Sequence, residues 1–415
     1  MTVVWQSFFA ERTKHIKGSQ IRQYFALTER PEVISFAGGF PGNEFFPGED
    51  IARSLSELAA EDTIQALQYS PTEGILDLRS LLAAKMSASG AACSAENLLI
   101  TNGSQQGLDL LSRILIDEGE PVLVEEPAYI GGMSAFKSYG GVPVGIPMDL
   151  EGPIPALLEK TVRRLRGEGK TPRLFYSVPN FQNPTGLTTS LKRRKEILAL
   201  AERHNLVIIE DNPYGDLCYE GSVPPSYMSL DQGGRVIYLG SLSKVLIPGI
   251  RIGWMAGPEA LTEKVAQAKQ SADLCSSSLG QQLAYRLCRD GYVGRHTDKL
   301  IDQYRRKRDA MVNAMERYFP AGVSFTRPKG GFFIWVQFPD CYPNSKELLD
   351  LALKRHVAFV HGEGFSSNGG GRHSARFSFS QPIEEEIVRG IKSLGQLLAE
   401  IEKECRCEEK ERKAV

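Results

Sequence analysis

From residue 97 to 257, short apolar, β-rich runs alternate with stretches whose apolar residues recur at helical spacing. The runs are NLLIT, PVLVEE, VPVGI, RLFYSV, LVIIE, RVIYLG and RIGWMAG. Strand-like runs separated by amphipathic, helix-length segments predict βαβ units and a mostly parallel sheet. The segment Leu191 to Arg203 shows the intervening pattern. Leu191, Ile197, Leu198 and Ala201 group on one face while Lys192, Arg193, Arg194 and Glu202 decorate the rest, which predicts a surface helix over the sheet. In open α/β sheets ligands bind beyond the carboxyl ends of the strands, so the chemistry is expected in the turns that follow these runs.

After about residue 292 the rhythm changes. A long charged helix (Asp302 to Arg317), strands at GVSFT and GFFIWVQF, a helix near Ser345 to Arg355, and strands at VAFV and ARFSFS predict a separate α+β unit. The first 47 residues, rich in Gly and Pro from Phe36 to Gly48, are too few for a domain and are expected to join the C-terminal unit or cross the site. The last residues, EKECRCEEKERKAV, read as a solvated helix end.

Composition narrows the class. Apolar residues at 42% and charged residues at 24% of 415 are ordinary for a packed globular enzyme. With 49 Lys plus Arg against 50 Asp plus Glu, no broad basic field exists for nucleic acid or an acidic membrane, so any anion site is local. The seven cysteines are scattered without disulfide or C-x-x-C zinc spacing, so reduced thiols and no metal site are expected. With no signal-like start and no membrane-length apolar stretch, the expected location is cytoplasmic.

Lys244, in Gly240-Ser241-Leu242-Ser243-Lys244, follows the strand RVIYL and precedes the apolar run VLIPGI. Desolvation and neighbouring cations there would lower its pKa, as a Schiff-base lysine requires; a surface lysine on a loop is the alternative. Ser241, Ser243 and Arg251 supply hydroxyls and a guanidinium that can converge on one phosphate. Ser104 and Gln105, opening a helix after NLLIT-Asn-Gly, offer further phosphate contacts through the helix N-terminus, or else form an ordinary N-cap.

Asp211 ends the strand LVIIE, where a carboxylate can keep a pyridine nitrogen protonated and make the ring an electron sink; an N-cap is the alternative. Tyr214, three residues on, and Asn183, in the turn Asn180 to Gly186, can hydrogen-bond the ring oxygen. Arg376 lies in the alternating run ARFSFS. A buried guanidinium needs an anion, which a substrate carboxylate or an internal salt bridge would supply.

In this order and spacing, NPTG at 183–186, Asp-x-x-Tyr at 211–214, SLSK with PGIRIGW at 241–254, and the terminal R-F-S-F-S resemble the class I/II aminotransferases of pyridoxal-phosphate fold type I. ISFAGGFPGNEFFP and ALQYSPTEGILDLR look like the branch containing 2-aminoadipate and kynurenine aminotransferases. The resemblance spans about residues 20 to 400.

It implies an α/β fold. A large domain (48–298) would carry a mostly parallel seven-stranded sheet between helices, and residues 1–47 and 299–415 would form the smaller α+β domain. It implies pyridoxal 5′-phosphate as cofactor and L-amino acids and 2-oxo acids as substrates, exchanged in ping-pong fashion. Lys244 would be anchor and base, and Arg376 with Asn183 would grip the substrate carboxylate. It further implies a homodimer in which Tyr69 reaches the partner's phosphate. Tyr129 would stack on the ring and Gly39 would line the carboxylate site. Arg22 would meet an acidic side chain from a mobile N-terminal helix, its alternative being a solvated arginine. One departure is His361, where relatives carry a proline before the glycine.

Fold does not fix chemistry, so a lyase, decarboxylase, racemase or oxidative enzyme on the same cofactor remains the alternative. A non-catalytic regulator is the other. Such relatives place a DNA-binding domain ahead of this part, whereas about 20 residues precede the similarity here.

Overall fold

The computed structural model describes residues 2–16, 18, 32–61 and 63–414, with side chains described through Cys405 except at residue 63. Arg22 lies outside the described residues.

The seven β-rich runs form one sheet, in the order Leu98–Asn102, Ile252–Ala256, Val236–Ser241, Val207–Asp211, Leu174–Ser177, Pro121–Glu126 and Val142–Asp149. Ile252–Ala256 runs against both of its neighbours, and the other six point one way. An eighth, two-residue strand, Gly152–Pro153, hairpins onto Met148 and Asp149 at the edge. The sequence reading gave seven strands because Gly-Pro carries no β-rich signal.

Alternation along these strands divides the core into two layers. Val122, Val124, Tyr176, Ile209 and Leu239 share a buried cluster with Leu108 and Leu111 of helix Ser104–Leu115 and Met133 and Phe136 of helix Ile130–Ser138. Leu123, Phe175, Ile208 and Val236 face the other way, onto helices Pro155–Gly167 and Leu191–Arg203. Each fully buried aliphatic side chain on these faces contributes on the order of 1.5–3 kcal/mol.

The helix Leu191–Arg203 has the expected limits, and Ile197 and Ala201 are buried on the expected face, but two positions depart from it. Arg194 is fully buried, whereas Leu191 is exposed. The guanidinium donates to the carbonyls of Thr189, Pro179, Pro224 and Pro225 and to Asn180 Oδ1. Five oxygens satisfy a group that charge alone would place in solvent.

Beyond the large sheet, helix Tyr292–Tyr318 begins at Gly291 (φ +66°), ahead of the predicted Asp302. A four-stranded antiparallel sheet follows, in the order Ser324–Phe325, Phe333–Gln337, Ser374–Ser378, Val360–His361. Ile34–Ser35 pairs in parallel with Val357–Ala358, which carries residues 36–40 over the carboxyl edge of the large sheet. That edge, where Asn102, Ser177, Asp211 and Ser241 end parallel strands, meets Arg376 of the smaller sheet.

Candidate active site

A cavity of about 500 Å³ opens at this junction. It brings together Gly39, Ser104, Gln105, Tyr129, Asn183, Asp211, Tyr214, Ser241, Ser243, Lys244, Arg251 and Arg376, drawn from positions up to 337 residues apart. Tyr69 is elsewhere, on the surface and 76% exposed. His361 pairs with Ala375 in the smaller sheet and is buried outside the cavity lining; burial lowers its pKa.

Lys244 follows strand Val236–Ser241 and donates from Nζ to the Gly39 carbonyl at 2.9 Å. Burial, then the positive charges of Arg376 and Arg251, lower its pKa to about 8, against the pull of Asp211. A lysine in this state holds a substantial neutral fraction near physiological pH, which makes it a nucleophile and a base.

Asp211 is 2% exposed at the end of Val207–Asp211. Burial raises its pKa to about 7, opposed first by a hydrogen bond from Tyr176, whose hydroxyl donates to Oδ2 at 2.9 Å. Oδ1 is buried without a hydrogen-bond partner among the described residues. An acceptor left open at such a cost fits a ligand N–H, and a protonated pyridine nitrogen is the matching donor.

One end of the cavity is built from three turns. Gly103 (φ +74°) precedes helix Ser104–Leu115, whose first N–H groups have no helical acceptor. A Cβ on Gly103 would collide with the Arg251 guanidinium, so glycine is needed for that close approach as well as for its backbone. Arg251, itself left-handed at φ +56°, donates to Asn102 O at 3.0 Å and Pro248 O at 3.2 Å. Ser241 Oγ donates to Ser243 Oγ at 2.9 Å. Hydroxyls, a guanidinium and helix N–H groups together form an anion cup.

Arg376 is 3% exposed, with Nη1 on Asn183 Oδ1 (2.9 Å) and Nη2 on Ala37 O (2.6 Å). Its ring neighbours are Phe333 and Phe365, 4.4 and 5.1 Å from the guanidinium carbon. Burial lowers its pKa to about 10. Its hydrogen bonds go to neutral oxygens, so the cation is poised for an external carboxylate. Gly39 sits against Phe333 beside Arg376, where a Cβ would meet the ring at 2.9 Å.

The sequence reading missed Tyr176, Val178, Pro213, Ile130 and Ser134. Val178 and Pro213 line the cavity beside Tyr129 and Asp211. The parallel register places Tyr176 beside Ile209, on the face that Asp211 shares, and that pairing would have signalled it. Ile130 and Ser134 also line a second cavity of about 430 Å³, with Lys14, His15, Lys137 and Glu363 among its walls. Among the described residues there is no cluster of three or more His, Cys, Asp or Glu placed to hold a metal, and no helix is long and apolar enough to cross a membrane.

Residues 32–394 match the family described as aminotransferase class I and II. The chain is 40% identical over 400 residues to aromatic-amino-acid aminotransferase 1 of Thermococcus litoralis, covering 96% of each chain. It is 40% identical over 398 residues to the 2-aminoadipate transaminase of Thermus thermophilus, covering 95% of this chain and 97% of that one. Among solved structures, the kynurenine aminotransferase of Pyrococcus horikoshii in complex with PMP superposes with a TM-score of 0.92 at 39% identity, covering 96% and 98%.

Proposed function

Since the chain belongs to the class I and II aminotransferase family, we propose that the cavity around Lys244 moves the α-amino group of a long-side-chain L-amino acid to a 2-oxo acid. The chain is a pyridoxal-phosphate-dependent aminotransferase. The observation that carries the site assignment is the convergence of a buried Lys244, an open Asp211 Oδ1 and a buried Arg376 on one cavity.

Pyridoxal phosphate supplies an aldehyde that condenses with amines and an electron-poor ring that stabilises negative charge at the substrate Cα. The residues fit that group. Ser104, Gln105, Ser241, Ser243 and Arg251 would take the phosphate, Asp211 Oδ1 the ring nitrogen, and Tyr214 and Asn183 the ring oxygen. Tyr129 and Val178 would bound the ring faces.

Arg376 and Asn183 hold the substrate carboxylate, fixing which bond at Cα points toward Lys244. The Lys244 amine, neutral once its proton is lost, takes the Cα proton and can return it to a neighbouring carbon. Asp211, as a carboxylate, would pair with the cofactor's ring nitrogen and favour its protonated form. Anchoring the carboxylate favours proton removal over decarboxylation, which separates this reading from a decarboxylase on the same cofactor.

The second cavity, reached past Ile130 and Ser134, supports a long side chain with a polar end or an aromatic one. The relatives named for aromatic amino acids, 2-aminoadipate and kynurenine agree with that size. A homodimer is part of the proposal: Ile64, Leu67 and Tyr69 are more than 70% exposed on one stretch, and Tyr69 would complete the partner's phosphate cup. Cys93, Cys218, Cys275, Cys288 and Cys341 are thiols, which supports a cytoplasmic location.

The test is a panel of amino donors with 2-oxoglutarate and pyridoxal phosphate. Turnover of tyrosine, kynurenine or 2-aminoadipate well above alanine supports the proposal. Turnover confined to alanine or glycine would overturn the substrate class, and no amino transfer would overturn the reaction.

A further inference from the structure

Tyr176 does not line the cavity, yet it touches Asp211, which does. It pairs with Ile209 in the adjacent parallel strand, so the alternation of side chains puts Tyr176 and Asp211 on one face, one step apart along the diagonal. The hydroxyl donates to Asp211 Oδ2 at 2.9 Å, and both residues are buried. Burial, then the Asp211 charge, hold the phenol well above its ordinary pKa, so the hydroxyl is a donor at every working pH.

The ring that carries this hydroxyl is fixed. Phe136 meets it edge-on at 5.4 Å between centroids. A Cβ on Gly132 would come within 2.8 Å of Tyr176 Cε1 and 2.9 Å of Cζ. Gly131 serves Tyr129 in the same way, since a Cβ there would strike the Tyr129 ring. The two glycines of Tyr129-Ile130-Gly131-Gly132 therefore make room for two tyrosines of one site.

Resting on the proposed function, we propose that Tyr176 is a positioning residue: by donating to Asp211 Oδ2 it keeps the carboxylate ionised and turns Oδ1 to the cofactor ring nitrogen. A buried carboxyl without a donor protonates, and a protonated carboxyl cannot pair with a protonated ring nitrogen. The hydrogen bond from Tyr176 is the strongest influence favouring the ionised form of Asp211, with Lys244 next; Glu125 acts against both. Tyr129, Tyr214 and Tyr238 also sense the Asp211 charge, and all three remain neutral phenols because burial raises their pKa values.

The experiment compares binding of pyridoxal phosphate and of its 1-deaza analogue, whose ring carbon cannot accept the proton, to the full chain between about pH 6 and 9. Wild type, Tyr176→Phe, Gly132→Ala and Asp211→Asn are measured side by side. The wild type prefers the natural cofactor once Asp211 ionises. In Tyr176→Phe, loss of one hydrogen bond to a charged group moves the onset of that preference upward by about one to two pH units.

Gly132→Ala, which keeps the hydroxyl but displaces the ring, moves it the same way. Asp211→Asn abolishes it, and adding Tyr176→Phe to Asp211→Asn changes nothing further. A Tyr176→Phe protein with the wild-type onset would overturn the proposal while leaving the function intact. A wild type that binds neither compound would overturn both.

Discussion

Arg376 and Asn183 are joined by a buried 2.9 Å hydrogen bond across 193 positions of sequence, linking the smaller antiparallel sheet to the turn that follows a strand of the large one. The pairing leaves the guanidinium aromatic-flanked and without a carboxylate partner among the described residues. Arg376→Lys keeps a charge but loses the planar fork. We expect kcat/KM for the amino donor to fall about 10- to 100-fold, mostly through KM, with the visible spectrum of the bound cofactor unchanged.

In the proposed mechanism, Lys244→Ala removes both the amine that would condense with the cofactor and the base. Amino transfer is expected to fall by about 10²–10⁴-fold or more. Borohydride reduction followed by peptide mapping should label the Lys244 peptide in the wild type and no peptide in the variant.

Asp211 and Lys244 oppose each other in their effect on stability without cofactor. Asp211's folded pKa, about 7, lies above its ordinary 3.8, so it contributes stability that is full below the lower value and lost as pH rises through the higher. Lys244, depressed from 10.5 to about 8, contributes stability present above its ordinary value and lost as pH falls through about 8. Asp211→Asn should therefore gain on the cofactor-free wild type as pH rises from 4 to 8, by up to roughly 4 kcal/mol in chemical denaturation.

Gly103→Ala places a methyl group on the Arg251 guanidinium and strains a left-handed backbone. Affinity for pyridoxal phosphate should drop about 10-fold or more, while pyridoxal without phosphate binds as before. Equal losses for both compounds would remove Arg251 from the phosphate cup.

Much of this was readable from the chain. The seven runs became seven strands because β-branched and aromatic residues cluster where both faces of a sheet are buried. Lys244, Asp211 and Arg376 announced themselves as charges within apolar surroundings. What stayed hidden depends on lateral register. Tyr176 reads as one more strand residue until the adjacent strand is aligned with it. Arg194 reads as solvated until five oxygens, four of them 14 to 31 residues away in sequence, close around it. Arg22 lies outside the described residues.

Tyr69 supplies a test of assembly. Lys244→Ala and Tyr69→Phe proteins, unfolded and refolded together, would form mixed dimers in which one site carries both changes and the other carries neither. Activity of the mixture should exceed the mean of the two refolded alone. An unchanged mean would place Tyr69 outside the partner's site.

The most direct measurement is a single half-reaction: purified enzyme loaded with pyridoxal phosphate, mixed with excess tyrosine or 2-aminoadipate and no oxo acid. The structure predicts one 2-oxo acid released per active site, conversion of the bound cofactor to its amine form, and no carbon dioxide. Continued turnover without an acceptor, carbon dioxide release, or an unchanged cofactor would contradict an aminotransferase built around Lys244.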